Sequence, residues 1–137
     1  LTFVLPSGTV INTADPEADE RFRQREPHLA QGLLDLRREI LERPRLAGRI
    51  RSKYRMKNTT GYSLNAFLDY DRAVKILEHL LVGSEGTLAF IAEAVLNTVP
   101  DLPVKYTGLL LFPDLHSACA AIVPLRDGVS VALKVRN

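Results

Sequence analysis

Prolines at positions 6, 16, 27, 44, 100, 103, 113 and 124 punctuate this chain, because each fixes its own φ and removes a backbone donor. Before residue 44 and after residue 100 they leave only short stretches for a helix or strand. Residues 1–5 and 9–13 read as β-prone runs around Pro6-Ser7-Gly8, a hairpin with its turn. Asp15-Pro16-Glu17 reads as a helix start: an acceptor for a free amide, a proline whose missing N–H costs nothing there, and an acid near the positive end of the dipole. The first helix is expected over residues 16–25. Pro27 opens a second, in which Leu29, Leu33, Leu36 and Ile40 share one face, and Pro44 is expected to close it.

Further along, Asp69 or Asp71 is placed to cap a helix over residues 72–82, with Val74, Leu77, Leu80 and Leu81 inward and Gly83 at a left-handed C-terminal position. Residues 88–99 and 104–112 are expected as strands. Pro113-Asp114 then starts a helix through Leu115, Ala118, Ile122 and Leu125, and residues 128–133 are expected as a final strand. The expected fold class is α+β. Residues 1–100 would form one domain, residues 100–103 a short linker, and residues 104–137 a βαβ unit that begins a second domain.

Composition excludes more than it selects. A hydrophobic fraction of 46% with 25% charged residues is that of a globular domain, and a net charge of +2 is too small to argue for a nucleic-acid or membrane partner. No apolar run approaches the roughly 18 residues that a bilayer span needs. The single cysteine, Cys119, has no partner for an internal disulfide, and among Ala118, Ala120 and Ala121 it reads as a small buried thiol. Leu1 falls inside an apolar run and the chain stops just after an expected strand, so both ends are expected to be cuts in a longer protein.

The common nucleotide and nucleophile motifs, G-x-G-x-x-G, G-x-x-x-x-G-K-[ST] and G-x-S-x-G, are absent. His28, His79 and His116 have no Cys, His or acidic neighbour at metal-ligand spacing, and read as surface or packing residues. Asn58-Thr59-Thr60 matches the N-glycosylation pattern, which in a chain without a secretion signal reads as chance. Two stretches stand out. Seven cations and no acid lie between Arg43 and Lys57. These either track phosphates or an acidic partner, or form a solvated face paired with Asp15, Glu17, Asp19 and Glu20; Tyr54 is the one aromatic among them. The second is Gly83-Ser84-Glu85-Gly86-Thr87, where two glycines three apart let the backbone approach a ligand and leave N–H groups free to form an anion nest. A plain helix-to-strand turn is the other reading.

The stretch Leu81-Val82-Gly83-Ser84-Glu85-Gly86-Thr87-Leu88-Ala89-Phe90-Ile91, followed by Val99-Pro100, resembles the glycine-rich segment that ends the FAD domain of the vanillyl-alcohol-oxidase superfamily. Ahead of it, Lys57-Asn58-Thr59-Thr60-Gly61-Tyr62-Ser63-Leu64 resembles the loop at that place in the FAD-linked D-2-hydroxyacid dehydrogenases, among them D-lactate and D-2-hydroxyglutarate dehydrogenases and the FAD subunit of glycolate oxidase. The motifs come in the family's order at a compatible spacing, and the resemblance covers essentially the whole chain.

The resemblance implies the second subdomain of a PCMH-type FAD-binding domain over residues 1–100, followed by the start of a ferredoxin-like substrate domain. It also implies that Gly83, Ser84, Glu85, Gly86, Thr87, Leu88, Ala89, Phe90 and Ile91 line FAD largely through backbone, with Asn58, Gly61 and Tyr62 in the same shell. Ala89 departs from the family's usual glycine. The implied parent is a cytoplasmic enzyme that oxidises a D-2-hydroxy acid by hydride transfer to flavin. Its electron acceptor would be a quinone, cytochrome, flavoprotein or iron–sulfur centre, some of these at the membrane. The first FAD subdomain and the catalytic residues of the substrate domain would lie outside this chain, so the chain alone is expected to be inactive and to hold FAD weakly. Another flavoenzyme of the same superfamily, or a basic module binding RNA or an acidic partner, is the alternative.

Overall fold

The computed structural model describes residues 1–57, 60–101, 103, 104 and 107–128, with the side chains of residues 126–128 left aside. The chain divides into two compact units, Leu1–Asn97 and Thr98–Asn137.

In the first unit, β1 (Thr2–Val4) and β2 (Val10–Asn12) form the expected hairpin. Its turn closes by a Gly8 N–H bond to the Leu5 carbonyl and a Leu5 N–H bond to the Thr9 carbonyl. Helices α1 (Ala18–Arg25), α2 (Pro27–Leu41), α3 (Pro44–Lys53), α4 (Ala66–Asp69) and α5 (Ala73–Leu81) follow. The chain then returns as β3 (Phe90–Glu93), antiparallel to β1, so that β1 is the middle strand of an antiparallel sheet ordered β2-β1-β3. Alternation along the strands turns Phe3 and Ile11 inward to the helices. There they join Phe22, Ala30, Leu33, Phe67, Val74, Ile76, Leu77 and Leu81 in one core. The unit is α+β.

Several expectations are corrected. The Asp15 carboxylate accepts the Glu17 amide, but in a turn before the helix, so α1 begins at Ala18 rather than Pro16. In α2 the inward row is Ala30, Leu33 and Ile40, with half-buried Arg37 between them, while Leu29 and Leu36 are exposed. The row was misread by one position because alanine and arginine carry no apolar signal. Arg37 earns its inward place by donating from Nε to the Tyr70 carbonyl at 2.8 Å. Pro44 closes nothing: it is the first residue of α3, where its missing amide hydrogen would have had no partner anyway.

Neither Asp69 nor Asp71 caps α5, whose own N-cap residue, Arg72, makes no side-chain capping bond. The acceptor comes from α1: Asp19 takes the Val74 N–H at 3.0 Å and also pairs with Arg23 at 2.9 Å. Asp19→Ala should therefore cost about 1.5–3 kcal/mol in a urea titration, because a buried amide loses an ionised acceptor. Asp19→Asn keeps an acceptor and should cost less.

The strand expected over residues 88–99 is only four residues long. β3 is an edge strand whose single neighbour, β1, offers three residues, so a longer strand has nothing to pair with. In the second unit α6 (Leu115–Gly128) forms as expected, its first turn held by the Asp114 carboxylate accepting the Ser117 amide at 2.7 Å. The strand expected before it does not form: Val104 and residues 107–112 have no regular structure, with Leu109 and Leu111 87% exposed. The expected final strand lies outside the described residues apart from Gly128, which ends α6. The βαβ unit is thus reduced to its helix among the described residues, because a strand needs a neighbour to satisfy its backbone. Cys119 is exposed rather than buried.

Candidate functional site

The two stretches singled out by sequence meet. α5 stops at Leu81, and Gly83 turns the chain with φ of 89°, a conformation that side-chain-bearing residues rarely adopt. The Ser84 amide bonds back to the Leu81 carbonyl at 3.1 Å. Ser84 to Thr87 then forms a tight turn, closed by the Thr87 amide on the Ser84 carbonyl at 3.0 Å. Its two central residues, Glu85 (φ 53°) and Gly86 (φ 77°), are both left-handed, the sign pattern of a type I′ turn. Glu85 is the only non-glycine with positive φ among the described residues. Such a residue stores strain of about 1–3 kcal/mol that the surroundings must hold.

The second stretch packs on this turn. A Cβ at Gly83 would sit 3.4 Å from the Gly61 carbonyl oxygen, so the two loops touch backbone to backbone. The Ser63 hydroxyl bonds the Val82 carbonyl at 3.3 Å. Tyr62 and Thr87 join through their hydroxyl oxygens at 2.8 Å. Because the Thr87 hydroxyl gives its one hydrogen to the Ser84 carbonyl at 2.6 Å, Tyr62 is the donor in that pair. Tyr54, at the end of α3, ties the arrangement down by donating to the Tyr62 carbonyl at 2.6 Å and accepting the Leu64 amide at 3.1 Å.

Ser84 and Ala89 are buried, and Leu88 is half-buried against the core. Glu85, Gly86, Thr87, Phe90 and Ile91 face outward. Asn58 lies outside the described residues. A groove of about 230 Å³ runs between Val4, Leu5 and Pro6 on one side and residues 86–90 on the other. A second hollow of about 390 Å³ lies around Ser7, Gly8, Thr9, Val10, Arg21 and Arg25. Both hydroxyls on its rim, from Ser7 and Thr9, already donate to Glu26, and these bonds hold the Glu26 carboxyl below its usual range.

The glycine turn offers open backbone at Glu85 and Gly86 and an apolar flank, with Ser84 buried, the Thr87 hydroxyl committed to the Ser84 carbonyl, and Glu85 its one ionisable side chain. Nothing in this arrangement forms an acid–base pair. Among the described residues, no group of His, Cys, Asp and Glu could hold a metal ion. His79 is a packing residue, stacked on Tyr70 with ring centroids 3.9 Å apart and its Nδ1 2.9 Å from the Lys75 carbonyl.

The cationic stretch takes the form of α3 and the turn after it. Its expected pairing with the acids of the first helix is not found: Asp15 binds Arg21 and Asp19 binds Arg23, both closer along the chain. Arg43 pairs with Glu39 at 2.7 Å. Arg45, Arg49, Arg51, Lys53, Arg55 and Lys57 are exposed and take part in no ion pair among the described residues. The role of Tyr54 as a tether was missed, since its position within a basic run says nothing of the loop that its hydroxyl reaches.

Comparison with known proteins found no matching family model, and neither a curated protein nor a solved structure matches the chain. Among the described residues no helix is long and apolar enough to cross a membrane.

Proposed function

We propose that residues 1–100 are the second subdomain of a PCMH-type FAD-binding domain, and that the parent protein is an FAD-dependent oxidoreductase acting on a D-2-hydroxy acid such as D-lactate, D-2-hydroxyglutarate or glycolate. The observation that carries this reading is the meeting of the two resembling loops, through Gly61 against Gly83 and Tyr62 on Thr87, although 25 residues separate the tyrosine from the threonine. Two left-handed residues in succession, one of them Glu85, hold the turn in a shape that exposes its backbone.

The residues present fit the edge of a large flat ligand. Glu85 and Gly86 would bind it through main-chain N–H groups, the Thr87 amide being held by the Ser84 carbonyl, and Gly86 leaves open space where a Cβ would stand. Phe90, 71% exposed and at the rim of the groove, would cover its apolar part and exclude water, while Ile91, on the other face of β3, would contribute backbone alone. Tyr62 would orient the turn through Thr87. Ala89 departs from the family's glycine, and its methyl lies in the buried core and so would not crowd the ligand. When bound, FAD would accept a hydride from the α-carbon of the hydroxy acid. The group taking the hydroxyl proton would belong to the substrate domain of the parent, as would any iron–sulfur partner.

The test is to purify the parent polypeptide, record its visible spectrum and assay D-lactate, D-2-hydroxyglutarate and glycolate with a dye acceptor. The expected result is bound flavin and dye reduction with one of the three. Flavin without reduction by any of them would place the parent in another branch of the superfamily, and a parent purified without flavin would overturn the reading. The 137-residue chain by itself should bind added FAD weakly. Stoichiometric FAD on it would refute the need for a first subdomain.

A further inference from the structure

Helix α3 carries an electrostatic surface that the flavin reading does not use. Ala47 and Ile50 are buried and fix which side of the helix faces α2. At 3.6 residues per turn, Arg45, Arg49 and Lys53 fall in a row on the side turned away from them, each about 6 Å from the next along the axis. Leu46, 37% exposed, stands three before Arg49 and seven before Lys53 and so borders the same row. Small residues, Gly48 and Ser52, fill the space beside it. Arg51 lies on the opposite flank. None of the three cations in the row has an ion-pair partner among the described residues, and no acid occurs between Arg43 and Lys57.

We infer that the Arg45-Arg49-Lys53 row is a docking surface for the acidic helix of a protein partner, whose carboxylates repeat every four residues. Charge complementarity selects the partner, and the count of charges selects its class. Only three of the six exposed cations from Arg45 to Lys57 stand in line, few for a nucleic-acid backbone, whose binding grows with each phosphate neutralised. Tyr54 offers bases no stacking platform, because it is half-buried and its hydroxyl is tied to Tyr62 and Leu64. A lipid surface would gain three charges and one half-exposed leucine, a marginal anchor. A helix with glutamates at every fourth position matches the 6 Å repeat, pairs each guanidinium with a carboxylate fork and covers Leu46.

The test uses the full chain and a fluorescein-labelled helical peptide bearing glutamates at every fourth position on one face, followed by anisotropy. Saturable binding is expected, weakening about tenfold or more between roughly 20 and 200 mM salt. The triple variant Arg45→Gln, Arg49→Gln, Lys53→Gln should lose a similar factor with an unchanged circular dichroism spectrum. Arg51→Gln should stay within about twofold of the unaltered chain. The inference is overturned by absence of binding at low salt, by equal affinity for the peptide with glutamines in place of glutamates, or by an equal loss in Arg51→Gln. It is equally overturned if a uridine oligomer or vesicles containing phosphatidylserine bind more tightly than the acidic peptide. No flavin enters the measurement, so its outcome is independent of the flavin reading.

Discussion

Phe22→Ala is expected to lower the unfolding free energy of the first unit by about 3–5 kcal/mol, the usual loss when a fully buried aromatic is truncated and its cavity stays open. Phe22 has no exposed surface and sits on α1, which packs against both α2 and α5. The same core holds Phe3 from the sheet, so the phenyl ring helps join the strand layer to the helices. A domain of this size has about 5–15 kcal/mol in total. The loss is a large share of that total and should be seen as a fall in the urea midpoint at unchanged slope. Phe22→Leu keeps most of the volume and should retain most of the stability. A loss below about 1 kcal/mol for the alanine variant would mean that the site collapses around the cavity and that the core is less tightly built than its burial indicates.

Gly83→Val should have the second largest effect, and a different one. At φ of 89° a β-branched residue is strained whatever the space around it, and the new Cβ would meet the Gly61 carbonyl at 3.4 Å. The combined cost to the chain is about 1–3 kcal/mol. The γ-methyls of valine need room beyond that contact, and loops that part to give it would lose the Tyr62–Thr87 bond. Flavin content of the purified parent should consequently fall well below that of a Gly32→Ala variant, whose added methyl enters open space on α2, away from the glycine turn. Equal flavin content in the two variants would show that contact between the loops does not matter for cofactor retention.

How far the sequence foretold this structure depends on the kind of signal. The hairpin, α5 with its glycine stop and the start of α6 were legible, because turn residues, helical apolar spacing and caps are written locally. Where tertiary partners decide, local reading failed. α3 was passed over because Pro44 was taken as a terminator and its arginines hid the Ala47-Ile50 face. α5 is capped by Asp19, 55 residues earlier in the chain, so no nearby aspartate could have revealed it. Residues 94–99 and 107–112 have strand composition, but composition cannot say whether a neighbouring strand exists. At the candidate site, the glycine turn was visible from residue types alone. Its contact with the Gly61-Tyr62 loop and the tether from Tyr54 were not, since both depend on where α3 and α5 end in space.

The sheet order β2-β1-β3 also bears on how the chain acquires its shape. β1 and β2 are close in sequence and can pair within microseconds of becoming available. The opposite side of β1 must wait for Phe90–Glu93, and at a synthesis rate of about 5–20 residues per second that delay is roughly 4–20 s. Throughout the interval the side of β1 that β3 will take is an unpaired edge, while Phe3 and Ile11 are covered only as α1 to α5 are made. A two-stranded ribbon is marginal in water, and such an edge is a template for pairing with other nascent chains. The long return of β3 thus makes the pairing of Phe3 with Ile91 and of Val4 with Phe90 the most non-local in the sheet and the last to become available, once the segment after the glycine turn has been made.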